Sequence, residues 1–76
     1  MKDNITVLPV RPRTDDEFMA AAHVMVQEGG GFAGHIAKAY YLADSHNRLR
    51  LRSAFPDLFT RYFGVSVARH VHGEKP

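Results

Sequence analysis

The stretch from Gly29 to Phe63 reads GGGFAGHIAKAYYLADSHNRLRLRSAFPDLFTRYF, and its punctuation decides the fold. Phe32, Ile36, Ala39, Tyr40 and Ala43 recur at helical spacing, so a helix is expected to begin near Phe32. Ala33, Ala37 and Tyr41 form a second, less apolar face whose small residues let another helix approach closely. Gly34 weakens the start of this helix by roughly 1 kcal/mol relative to alanine, and His35 and Lys38 are expected to look outward. Asp44-Ser45-His46-Asn47 is dense in capping and turn residues. Asp44 or Ser45 can cap a third helix over about His46 to Phe55, with Leu51 and Phe55 pointing inward. The alternation Leu49-Arg50-Leu51-Arg52 also fits a strand. The helix is preferred because leucine and arginine are strong helix formers and a capping group precedes them. One long helix from Phe32 to Ala54 is the next reading.

Pro56 interrupts. The residue before a proline is pushed toward extended backbone, and Pro56-Asp57 suits the first turn of a new helix. That helix carries Phe55, Leu58, Phe59, Tyr62 and Phe63, an aromatic stripe whose ordinary role is core burial. Gly64 is its expected stop.

Upstream, Thr14-Asp15-Asp16-Glu17 is the clearest local signal. Thr14 can accept from the backbone N–H of Glu17 while Glu17 reaches back to the N–H of Thr14. Three acids in a first turn also complement the positive end of the helix dipole. Consecutive residues fan around the axis, so capping is preferred over a shared carboxylate site. Phe18, Ala21, Ala22 and Met25 then give one apolar face, widened by Met19 and Val26, and the helix is expected over Asp15 to Glu28. Gly29-Gly30-Gly31 ends it. The run lacks the Gly-Lys-Ser/Thr ending of a phosphate loop and no apolar strand precedes it, so it is a hinge between helices.

The ends read differently. Ile5, Val7 and Leu8 could form a short strand confined to an edge by Pro9, and Arg11-Pro12-Arg13 is extended lead-in. Val65, Val67 and Val71 share one face in a period-two tail able to pair with Ile5 to Leu8, or to fray. The expected fold is mainly α: a single small domain of three to four short helices with extended, strand-capable termini. Residues 1–13 form an N-terminal arm, 14–64 the helical domain, and 65–76 a strand or flexible tail.

A chain of 76 residues without cysteine buries only about 60% of its unfolded surface and has neither a disulfide nor a thiolate zinc site to staple it. Dimerisation or docking on a larger partner is therefore expected. No apolar run approaches the ~20 residues that span a bilayer, and the first ten residues do not read as a signal peptide. A cytoplasmic protein without a membrane partner follows as the expectation. Net charge is +2 but unevenly placed. Residues 1–31 carry net −2 and residues 32–76 net +4, the latter from Lys38, Arg48, Arg50, Arg52, Arg61, Arg69 and Lys75 against Asp44, Asp57 and Glu74.

Chemistry is sparse. His70 and His72 would share a face on a strand, but no Asp, Glu or Cys stands beside them at metal-site spacing, so no metal is expected. No nucleophile motif such as G-x-S-x-G occurs. Neither a catalytic centre nor a cofactor is expected, and the chain reads as non-enzymatic. On a helix Arg48 and Arg52 share a face, with Arg50 about 200° around from Arg48. Such a pair can grip phosphates or carboxylates bidentately. Arg48, Arg50, Arg52, Arg61 and Lys38 are the candidate partner-binding residues. No nucleic-acid-binding signature is visible and the basic excess is small, which ranks a protein partner above nucleic acid.

Ala39-Tyr40-Tyr41, Ala43-Asp44-Ser45, Asn47-Arg48 and Ala54-Phe55-Pro56-Asp57-Leu58-Phe59-Thr60-Arg61-Tyr62 together resemble a pattern in small tailed-bacteriophage and prophage proteins of unassigned role. Residues 1–28 and 64–76 lie outside the likeness, and it carries over no catalytic residues. It implies a setting: small phage proteins are often non-catalytic inhibitors or adaptors of host machinery, anti-CRISPR proteins among them. The expected function is a phage-encoded protein-binding module acting on a host or phage protein. Nucleic-acid binding by the basic face, or an oligomeric accessory role in a phage particle, are the alternatives.

Overall fold

The computed structural model describes residues 10–72, with side chains described through His70. Its elements are α1 (Asp15–Glu28), α2 (Gly30–Leu42), α3 (Ser45–Ala54) and α4 (Pro56–His72), with no strand among the described residues. The mainly helical expectation holds, and so does the division into four helices. No described helix is long and apolar enough to cross a membrane.

Each boundary has a local cause. Thr14 accepts from the Glu17 backbone N–H at 3.2 Å, and Glu17 Oε1 accepts from the Thr14 N–H at 3.0 Å and the Arg13 N–H at 2.8 Å, completing the capping box that starts α1. Asp44 caps α3 by accepting from the Asn47 N–H at 2.8 Å. Ala43 and Asp44 are extended, with ψ of 146° and 176°, so α2 and α3 are separate helices rather than one long rod. The strand alternative for residues 49–52 is also set aside.

The helix α1 is central, packed along α2 on one side and α4 on the other, while α3 touches α2 and α4 more lightly. The core is Phe18, Ala21, Ala22, Met25, Ala33, Ala37, Tyr40, Phe59 and Phe63. Alanines on the facing stripes bring α1 and α2 close together. The remaining volume is filled by the rings of Phe18, Tyr40 and Phe59, whose centroids lie 5.2 to 6.1 Å apart. That spacing is favourable for aromatic pairs.

Three expectations are corrected. On α1, Val24 is buried and Val26 exposed. On α2, the small-residue face carrying Ala33, Gly34 and Ala37 turns inward together with Tyr40, whereas Phe32 and Ala39 from the stripe taken as apolar are exposed. Close approach to α1 favours the face with the smallest side chains. The largest correction is in the tail: α4 does not stop at Gly64 but continues to His72. Phe59, Phe63 and Val67 recur every fourth residue and pack on the same core. Their burial outweighs the ~1 kcal/mol that a mid-helix glycine costs. The period-two strand is replaced by helix over residues 65–72, and its partner strand, Ile5 to Leu8, lies outside the described residues. At the far end of α4, Arg69 pairs with Glu28, tying it to the end of α1.

The triple glycine proves to be three different positions. Gly29 is right-handed (φ −81°), and its N–H donates to Met25 O at 2.9 Å. A Cβ there would meet both Met25 O and Ala33 Cβ at 2.6 Å. Among the described residues Gly30 is the one in the left-handed region, φ 78°, and makes the reversal into α2. Gly31 has open space around it. Urea denaturation of three alanine variants separates these roles. Gly29→Ala is expected to lose about 1–3 kcal/mol through the clash and Gly30→Ala about 1–2 kcal/mol through backbone strain. Gly31→Ala should stay within about 1 kcal/mol of wild type, on the stabilising side.

Candidate functional site

The five candidate cations divide into two groups. Arg48 and Arg52 lie one turn apart on the inner side of α3, and both reach the first turn of α1. Arg48 Nη1 donates to Asp15 Oδ2 at 2.8 Å and Arg52 Nη2 to Asp15 Oδ1 at 3.2 Å. Tyr40 donates its hydroxyl to the same Oδ1 at 2.7 Å, and Arg52 Nε donates to the Tyr40 hydroxyl at 3.1 Å. Arg48 also donates from Nε to Tyr40 O at 3.0 Å, which accepts from the Ala43 N–H as well, and from Nη2 to Tyr41 O at 3.4 Å, adding donors at the end of α2. The Arg48 guanidinium lies 4.9 Å from the Tyr40 ring centroid and that of Arg52 lies 4.4 Å from the Phe18 ring. Planar cations stack well on such faces.

The pair therefore grips a carboxylate, as the spacing suggests, but it is the protein's own Asp15. With side chains only 22–23% exposed, Arg48 and Arg52 are withdrawn from the outer face on which they were expected to meet a partner. From the capping pattern, Asp15 is a first-turn acid alone. The signal that could have found it is the pairing of that acid with two arginines at i and i+4, which local spacing does not bring together.

This network sets the protonation behaviour of the first turn. The Asp15 carboxyl is held below its ordinary 3.8, first by the Tyr40 hydroxyl and then by the hydrogen bonds and charge of the arginines. Glu17 is held below 4.5, first by the N–H of Arg13 and then by that of Thr14. Tyr40 is pushed above 10.0, mainly by burial and then by its bond to Asp15; burial also raises Tyr41.

Arg50, Arg61 and Lys38 form the second group. All three are exposed and make no ion pair among the described residues. Large apolar side chains are exposed on two of the same helices, α2 and α3. Leu42 is 88% exposed, Phe32 64% and Leu49 56%. A groove of about 590 Å³ between α2 and α3 is lined by Ala39, Leu42, Leu51 and Ala54, with Arg50 at its edge. At the α3–α4 junction a second depression of about 350 Å³ is floored by Phe32, Ala54, Phe55 and Leu58, with Arg61 and Asp57 at its edge. Phe32 and Phe55 meet edge to face there, at 5.7 Å.

No protein-family model, curated protein or solved structure matches this chain. Among the described residues no three His, Asp or Glu side chains gather where one ion could be held. Positions 70 and 72 belong to the helix α4 and not to a strand.

Removing the acceptor of the network is expected to show in both stability and its pH dependence. Asp15→Ala strands the buried Tyr40 hydroxyl as a donor and should lose about 1–3 kcal/mol in denaturant titrations. Asp15 and Glu17 titrate lower when folded than unfolded, so they contribute stability above 3.8 and 4.5 that is lost as pH falls below those values. Tyr40, raised in the fold, contributes below 10.0 and loses that contribution as pH rises past it. Thermal midpoints against pH should show a shallower acid limb for Asp15→Asn and a shallower alkaline limb for Tyr40→Phe.

Proposed function

We propose that the protein is a non-catalytic binding module that occupies the surface of another protein through the strip along α2, α3 and the start of α4. The observation that carries this reading is three large apolar side chains left in solvent, Phe32, Leu42 and Leu49, each lining one of three adjoining depressions. The exposed cations Lys38, Arg50 and Arg61, which make no ion pair among the described residues, stand on α2, α3 and α4. Exposed apolar side chains beside adjoining depressions suit an interaction site. A polar, charged border around an apolar centre is the usual layout of a protein interface. The likeness of residues 29–63 to small phage proteins supports a phage-encoded inhibitor or adaptor acting in the bacterial cytoplasm, in the manner of anti-CRISPR proteins.

Nucleic acid is the weaker reading on this face. Binding a phosphate backbone draws on clustered, available cations, and Asp15 already engages two of the three arginines on α3. The remaining cations are separated by leucine and phenylalanine, which a phosphate chain does not solvate.

The two readings part in one pair of measurements. Immobilised wild-type protein is expected to retain discrete proteins from a bacterial host extract, and the Leu42→Asp/Leu49→Asp double variant to lose them with its circular dichroism unchanged. Tight binding of labelled duplex DNA that falls steeply between about 50 and 200 mM salt, with no protein retained, would reverse the ranking.

A further inference from the structure

We propose that the strip receives an acidic amphipathic helix of the partner, a step that rests on the protein-binding reading above. The geometry begins at Ala54, which lines three adjoining depressions. One lies between α2 and α3 beside Leu42. The second, about 480 Å³, lies on the outer side of α3 beside Leu49. The third holds Phe32 and Leu58 where α3 gives way to α4. Arg50 and Ala54 are shared by the first two and Ala54 by all three, so the depressions adjoin as a shallow trough ridged by those two side chains. It lies along α3, whose 10 residues extend about 15 Å, room for about three turns of a partner helix.

A helix fits this trough better than an extended peptide. An extended segment in an apolar trough needs a sheet edge to pair its backbone N–H and C=O groups. The described residues contain no strand that offers one. A helix satisfies its own backbone and presents apolar residues at i, i+3 or i+4, and i+7, the spacing of helix-in-groove recognition.

The sign of the charge follows from the rim. Arg50 borders the first two depressions and Arg61 the third. Lys38 lies one turn before Leu42 on α2. Against these three cations, Asp57 is the one carboxylate in the lining. Glutamates flanking the partner's apolar face meet the cations, and lysines are repelled by them. A second copy of this chain docking by the same face about a two-fold axis would bring two sets of the same cations together with Asp57 as the one carboxylate in each lining, an excess of like charge.

The test uses the full chain with two fluorescein-labelled stapled peptides that share one leucine face, one flanked by glutamate and the other by lysine. By anisotropy the glutamate peptide is expected to bind about tenfold or more tightly than the lysine peptide. Its amide shift changes should map to Leu42, Leu49, Arg50 and Ala54. Arg50→Glu/Arg61→Glu, both at exposed positions, should reverse the preference, and Leu49→Asp should weaken the glutamate peptide about tenfold. Equal binding of the two peptides, shifts on another face, or no reversal by the charge swap would overturn the proposal. So would a concentration-dependent dimer that the glutamate peptide does not dissociate. If neither peptide binds while capture from extract still depends on Leu42 and Leu49, the acidic helix is wrong and the protein-binding reading stands. If both fail, that reading falls as well.

Discussion

The fold depends on one buried hydroxyl. Tyr40 is fully enclosed, and an O–H taken from water without an acceptor is costly. The acceptor is Asp15, presented by the first turn of α1 at 2.7 Å. A carboxylate beside an aromatic cluster draws cations in turn, and Arg48 and Arg52 supply them from α3. Each guanidinium then lies on a ring, Tyr40 for one and Phe18 for the other. The sequence of needs runs from the core outward: ring burial, hydroxyl, carboxylate, arginine. Its last member decides how α3 sits, because α3 contributes no fully buried residue of its own. The polar network does for α3 what apolar burial does for the other helices.

That dependence also turns the surface. Once Arg48 and Arg52 face α1, the helix period sends Leu49 and Arg50 to solvent. Arg50 is thus on the reverse side of the contact that holds the domain together, with Leu49 at its flank. Leu51 and Phe55, half-buried against the core, lie between the two sides.

Local grammar carried most of the fold. The capping box at Thr14, the Asp44 turn, Pro56 and the aromatic stripe through Phe59 and Phe63 each act within a few residues, so they can be read along the chain. What escaped is non-local or degenerate. Asp15 sits 33 and 37 residues from its arginines, and its role in the first turn accounts for it without them. Val65 and Val67 satisfy a two-residue period by themselves. Only when Val67 is joined to Phe59 and Phe63 does the helical series appear, and that requires knowing Gly64 is tolerated. On α2 the small residues Ala33 and Ala37 admit the close approach of a helix that they suggest, whereas the bulk of Phe32 is no guide to burial, because contact with α1 is limited by how closely backbones approach. The site was legible in part: Lys38, Arg50 and Arg61 are outward as residue type suggests, but the exposed leucines beside them gave no sign until the packing was known.

The division of labour on α3 has a consequence for how such a surface changes over time. His46, Leu49, Arg50 and Ser53 follow one another at i, i+3, i+4 and i+7 and are all exposed. None takes part in the Asp15 network or the core cluster. Their identities are therefore unconstrained by folding, while Arg48 and Arg52, interleaved with them, are fixed by it. Such an arrangement lets one stripe of a helix be rewritten to follow a drifting or different target while the adjacent stripe keeps the scaffold intact.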